Sequence, residues 1–344
     1  MDETGINLLK YLRSKTQVDL DTFDITAGRL IHNPKPKAVG QFGQCVDCTS
    51  NQYEYYTELA KPSRKDILQR TIEVTAGLHG QFSEVTFDEL GVEVGAVLLA
   101  AEMVPAFTGN LHLMVNPNYA YSRTKVVEAA KRFYRLFALI NPSFPSSRLV
   151  IKVPATWEGL QACHDLQAFK IKTLGTTLFS MEQAILAGEA GCVSISPFVH
   201  SLRILVDPEY KDPHPAYYLS AQAQRWYRRQ SLPTKVKSCS TVGVDELLEL
   251  AGIDALTIVP DDLRALQSTY RDANEVSQMS IVRNGAQSDD KIEHVSYIDD
   301  EERYRADFEK ADEGRAKAKT AEAIDIFCGY QSKAEDVVRK ARGQ

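Results

Sequence analysis

The 344-residue sequence has little of several things, and each shortage narrows what the protein can be. It contains no apolar run long enough to cross a bilayer, so a membrane role is not expected. Positive charge is in deficit, with 40 Lys and Arg against 46 Asp and Glu and a net charge of −6. No basic stripe offers itself to a phosphate backbone, so nucleic acid is not an expected partner. Six cysteines in this length make no disulfide framework. Cys45-Val-Asp-Cys48 has redox or zinc spacing, but no second pair and no His-x-x-x-His completes a metal site. The pair reads as structural, and neither a metal nor a cofactor is expected. The opening residues Met-Asp-Glu-Thr-Gly-Ile-Asn are acidic where a targeting peptide would be basic, which predicts a cytoplasmic protein. No internal repeat or low-complexity tract stands out.

What remains is an ordinary globular composition, 44% hydrophobic and 25% charged, with a clear order of elements. Short apolar runs at 18–23, 44–48, 111–115, 149–153, 172–177, 191–196, 234–239 and 255–258 read as strands, mostly separated by helical patterns. Eight such units predict an α/β fold, a (β/α)8 barrel in a single domain over 1–344. An N-terminal helix at 1–16 and a helical extension over about 296–344 are added to it. The extension is highly charged, with Phe308, Ile324, Phe327 and Val337 as sparse apolar anchors, and is expected to be solvated for most of its length.

One strand carries the chemistry. Leu149, Val150 and Ile151 form a buried strand that Pro154 ends, and Lys152 lies near its end on the face of Val150. Burial disfavours the ammonium form, and only a neutral amine attacks a carbonyl to form a Schiff base.

The segment Ile151-Lys-Val-Pro-Ala-Thr-Trp-Glu-Gly159 resembles the lysine motif of the transaldolases. These are Schiff-base barrels that move a dihydroxyacetone unit between sugar phosphates. Thr177-Leu-Phe-Ser-Met-Glu-Gln-Ala184, Ile195-Ser-Pro-Phe-Val199 and Glu246-Leu-Leu-Glu-Leu-Ala-Gly252 resemble later segments of the same family. Order and spacing agree from about residue 8 to the C-terminal helix. The resemblance implies that Lys152 is the Schiff-base lysine and that Asp21 is the acid/base acting on the hydroxyl beside the breaking bond. It further implies that Asn51 and Ser196 bind substrate and that Thr176 holds a proton-shuttling water.

The departures bear on the substrate. Met114 stands where the family has a glutamate that assists carbinolamine dehydration, and Leu174 where it has an active-site asparagine. Ser201 and Val242 stand where two arginines bind phosphate. A charge-assisted contact is worth roughly 1.5–3 kcal/mol, so losing two weakens sugar-phosphate binding by a few orders of magnitude. Met114 and Leu174 make the mouth more apolar. The expected function is therefore carbon–carbon bond making or breaking through an imine on Lys152, on a non-phosphorylated carbonyl compound, in specialised metabolism. The alternatives are the conventional transaldolase reaction of the pentose phosphate pathway, another enamine outcome such as decarboxylation, or an inactive binding barrel. Arg203, Lys235 and Lys237 are the candidate substitute cations, and His200 and His112 the candidate substitute proton carriers. The expected partner is the small carbonyl substrate alone, bound by a monomer or homodimer.

Overall fold

Eight short parallel strands close into a barrel in chain order. They are β1 Gln17–Asp21, β2 Cys48–Thr49, β3 Leu111–Met114, β4 Leu149–Pro154, β5 Lys172–Leu178, β6 Ser194–Pro197, β7 Lys235–Ser238 and β8 Ala255–Ile258. β8 pairs back with β1, Ile258 opposite Leu20, so the barrel leaves no open edge. This is the barrel that the strand pattern predicts. The computed structural model describes residues 5–27, 45–284 and 295–343, so the start of the expected 1–16 helix and residue 44 of the expected second strand lie outside the described residues. Among the described residues no helix is long and apolar enough to cross a membrane.

Parallel barrel strands are covered on both faces, so they read as continuous apolar runs. β4 is the clearest case, buried from Leu149 to Pro154. The helix that follows, Trp157–Gln167, is started by Thr156, whose side chain accepts a hydrogen bond from the Gly159 N–H at 2.9 Å. Such a cap is worth about 1 kcal/mol. At Gly159 a Cβ would fall 2.3 Å from the Pro154 carbonyl oxygen. Only glycine lets this helix turn back so closely on the strand that carries Lys152.

Two expectations shift. The second strand is Cys48–Thr49 rather than 44–48, and Cys45 makes only an isolated bridge to Phe107. Around Asp47 the ladder thins to single bonds, Val46 N–H to the Val18 carbonyl and Leu20 N–H to the Asp47 carbonyl, while the Asp47 N–H donates to Asp19 Oδ1 at 3.1 Å and its carboxylate accepts from Lys237. At the N-terminus the helix is Leu8–Arg13, preceded by Ile6–Asn7 paired antiparallel with Tyr270–Arg271.

The larger difference is at the C-terminus, where helices Glu301–Lys310 and Arg315–Arg342 follow one another. The second is not a solvated rod. Ala316, Thr320, Ala323, Phe327, Gln331, Ala334 and Val338 form a buried stripe at spacings of three and four residues. Its small residues permit close approach: at Gly91, in helix Phe87–Met103, a Cβ would lie 2.5 Å from Val338 Cγ1.

Candidate active site

At the carboxyl ends of the strands lies a cavity of about 240 Å³. Asp21, Asn51, Glu54 and Lys152 form its polar wall, and Phe198, Leu202, Cys239, Val259 and Phe327 its apolar one. Register explains the row at its base. Met114 pairs with Lys152 and Lys152 with Leu174, so three side chains on β3, β4 and β5 face inward side by side.

Lys152 is 4% exposed, and the nearest hydrogen-bond acceptor to its Nζ is the Ser50 carbonyl oxygen at 3.5 Å. Among the described residues no carboxylate lies within ion-pair distance of it. Asp21, the last residue of β1, faces the same cavity. Burial pushes its carboxyl up, and the charge of Lys152 draws it back down. Asp21 Oδ1 has no hydrogen-bond partner among the described residues, nor does Thr176 Oγ1. Buried polar atoms are seldom left unpartnered, and of these two only Asp21 lies on the cavity wall. Asn51 caps helix Gln52–Ala60 through its side-chain oxygen, which accepts from the Tyr53 N–H at 2.9 Å. Gln52, beside it, donates to the carbonyls of Met114 and Val115 at 3.3 and 3.0 Å and ties this helix to the end of β3.

Thr176 and Ser196 are buried at the ends of β5 and β6, behind the cavity wall rather than on it. β5 bulges between Gly175 and Leu178, where Thr177 adopts φ 53°. A β-branched residue in the left-handed region costs about 1–3 kcal/mol and persists only where its surroundings hold it. Here Thr320 of the C-terminal helix and Gln183 both donate to the Thr177 carbonyl, each at 3.3 Å. Met114 packs in a small apolar cluster with Phe179, Phe198, Leu202, Cys239 and Phe327, so it supports the apolar wall.

None of the candidate substitute cations lines the cavity. Arg203 is half exposed and pairs with Asp207 at 3.0 Å. Lys235, 65% exposed, lies 3.8 Å from Asp254. Lys237 points into the barrel but toward its floor, 2.5 Å from Asp19 and 2.8 Å from Asp47, with all three side chains buried. The histidines are occupied too. His200 Nε2 donates to the Glu246 carboxylate at 2.9 Å, and His112 stands 3.5 Å from Asp47. Burial and the neighbouring Lys237 hold His112 neutral, its pKa lowered to about 3.

Ser201 has its own partners. Its hydroxyl donates to Glu322 of the C-terminal helix, and its N–H donates to Asp212 Oδ2 at 2.7 Å. Lys319 neutralises Asp212 at 2.8 Å. The Val242 N–H donates to Glu246 at 2.6 Å. Carboxylates therefore meet both positions at which the family carries phosphate arginines. Among the described residues no group of three or more His, Cys, Asp or Glu could hold a metal ion. Cys45 and Cys48 are buried free thiols.

Sequence reasoning missed Glu54 and Phe327 on the wall and the Asp19–Lys237–Asp47 cluster beneath it. Glu54 reads as an ordinary acidic residue in the first turn of a helix, and Phe327 as an anchor on a charged one. Nothing local marks either as facing Lys152.

Residues 21–336 match the family model described as Transaldolase/Fructose-6-phosphate aldolase. The transaldolase of Methylococcus capsulatus is 32% identical over 278 residues, covering 76% of this chain and 78% of that protein. The transaldolase of Schizosaccharomyces pombe is 28% identical over 278 residues, 76% of this chain and 80% of its own length. That of Prochlorococcus marinus is 28% identical over 271 residues, with 76% of each chain covered.

Proposed function

The chain belongs to the transaldolase/fructose-6-phosphate aldolase family, and on that premise we propose that it makes and breaks carbon–carbon bonds through an imine on Lys152. The observation that carries this reading is the amine itself: buried, facing the cavity, 3.5 Å from its nearest acceptor and opposed by Asp21 without a direct ion pair. An amine so placed is a nucleophile rather than a structural cation. It adds to a ketone carbonyl and water leaves. The protonated imine then draws electrons from the adjacent carbon–carbon bond as Asp21 takes the proton of the hydroxyl on the departing carbon. An aldehyde leaves and an enamine stays on the enzyme. Addition of the enamine to a second aldehyde, with Asp21 returning the proton, completes a transfer. Asn51 orients the bound ketol hydroxyls. Thr176, unpartnered and buried, holds a water that moves protons at the imine nitrogen.

For the substrate pair, the relatives named transaldolase support the conventional reaction, sedoheptulose 7-phosphate with glyceraldehyde 3-phosphate. A second reading has a specific observation in its favour. Ser201 is bonded to Glu322, and Asp212 on its other side is already paired with Lys319, so a phosphate there would meet the Glu322 carboxylate. On this reading the substrates are carbonyl compounds without phosphate.

Borohydride trapping followed by intact-mass measurement tests both. A dihydroxyacetone-sized adduct on Lys152 from fructose 6-phosphate supports the conventional reaction. Adducts formed only from phosphate-free ketones, such as dihydroxyacetone or fructose, support the second reading. No adduct from any of them sinks the Schiff-base proposal.

A further inference from the structure

Imine formation needs a proton donor for the departing hydroxyl, and Asp21 is already assigned to the carbon–carbon step. Three carboxyls line the cavity: Asp21, Glu54 and Asp262. Asp262, half-buried, sits in the first turn of helix Pro260–Ser268, after β8, and its carboxyl too is raised by burial. Glu54, the third residue of helix Gln52–Ala60, reaches the same wall as Lys152 from the side of β1. Its anchoring is loose: Oε2 accepts from the Phe23 N–H at 3.4 Å and the Thr22 hydroxyl at 3.5 Å. We propose that Glu54 is a second catalytic carboxyl, the acid that protonates the carbinolamine hydroxyl formed on Lys152. The inference rests on the Schiff-base reading above.

The chemistry balances as follows. The neutral Lys152 amine attacks the carbonyl carbon, a C–N bond forms, and the carbonyl π pair moves to oxygen. That oxygen takes up a proton given up by the attacking nitrogen, which yields the neutral carbinolamine. Glu54 then gives its carboxyl proton to the hydroxyl. The C–O bond breaks, water leaves, and the nitrogen lone pair closes the iminium. Glu54 remains as a carboxylate until hydrolysis of the product imine, run in reverse, returns its proton.

The surroundings suit an acid here. Burial and the Asp21 carboxylate push Glu54 up to about 8, with Glu58 adding to the rise, while the Phe23 N–H and Lys61 oppose it. Asp21 is itself raised by burial, with the charge of Lys152 acting against that rise. Asp262 and Tyr53 are the other titratable groups on this wall. A carboxyl raised in this way keeps its proton at neutral pH, as an acid must. The Met114 position on β3 supplies no such acid, since it is packed into the apolar cluster.

The test is the rate at which dihydroxyacetone is trapped on Lys152 by cyanoborohydride, followed by intact mass across pH, in wild type, Glu54→Gln and Glu54→Asp. In wild type the rate is expected to fall as pH rises through about 8, where Glu54 loses its proton. Glu54→Gln is expected to slow trapping by about 10²–10⁴-fold, the range of positioned proton transfer, and to abolish that falling limb. Glu54→Asp restores the limb at an intermediate rate. Trapping by Glu54→Gln at the wild-type rate overturns the inference. So does slower trapping with the limb intact, which is what a glutamate serving only to tie down the chain after β1 would give. If wild type traps with a limb near 8 and Glu54→Gln traps with the same rate and limb, the Schiff-base reading survives alone. If wild type traps nothing, both fall.

Discussion

Two lysines point into this barrel, and they differ in almost everything except identity. Lys237, near the floor, has carboxylates at 2.5 and 2.8 Å. Lys152, at the mouth, has a carbonyl oxygen at 3.5 Å as its nearest acceptor. Both are buried. Burial acts against the charge of Lys237, yet Asp19 and Asp47 outweigh it and hold that ammonium above its ordinary range. A charge satisfied from two sides is structure. An amine with one long hydrogen bond and no carboxylate against it is what the proposed imine chemistry uses. β1 supplies both environments from one face, because Asp19 and Asp21 are two residues apart and strand side chains repeat with that period. Asp19 serves the floor and Asp21 the mouth.

The comparison breaks most visibly under matched substitutions. Lys152→Met is expected to abolish turnover and borohydride trapping while Tm changes little, since it removes a buried amine that makes no direct ion pair. Residual activity above background would show that another nucleophile operates. Lys237→Met should do the opposite to stability. It strands Asp19 and Asp47 as buried, unpaired carboxylates, a loss of about 3–5 kcal/mol by denaturant titration. An unchanged midpoint would mean that the floor cluster contributes nothing.

Met114→Glu sharpens the contrast by placing a new carboxylate beside Lys152 and inside the apolar cluster. An unpaired buried polar group costs about 1–3 kcal/mol, so KM should rise roughly tenfold to a hundredfold. A faster enzyme with unchanged KM would show that the site lacks a proton carrier, and would count against Glu54 in that role.

At neutral pH the smallest effect expected is that of His112, whose contribution changes only in acid. His112 is held neutral in the folded barrel, its pKa lowered to about 3 from an ordinary 6.5. The unfolded chain takes up that proton first as pH falls. Stability is therefore full above 6.5 and declines between there and about 3, by at most about 1.4 kcal/mol per pH unit for one proton. His112→Leu should flatten that part of the Tm profile, and a profile of unchanged slope would refute the assignment.

Much of the architecture was legible because it is written locally. Each barrel strand announces itself as a short apolar run with turn residues on either side, and seven of the eight expected runs coincide with strands to within about three residues at either end. The second slipped because the Asp47 N–H turns to the Asp19 side chain and its carboxylate to Lys237, so only the Asp47 carbonyl stays in the ladder, accepting from the Leu20 N–H at 2.9 Å. The wall residues Asp21, Asn51 and Lys152 were legible as well, since each ends or follows a strand inside a family motif. Thr176, Ser196, Met114 and Leu174 were rightly assigned to the strand ends, but they lie behind the cavity surface. The covering role of the C-terminal helix was not legible. Its buried stripe is built from Ala, Thr and Gln among many charges, so its hydrophobic period is faint.

By itself, then, the sequence determined the barrel, the order of its strands and the lysine at the end of the fourth. Those follow from apolar periods and motifs that span a few residues. The tertiary structure alone decided which charges meet. Lys237 finds Asp19 across 218 residues of chain, and Ser201 finds Glu322 across 121. Glu54 shares a wall with a lysine almost a hundred positions away. Coulomb energy depends on distance and burial, and closure of the barrel sets both.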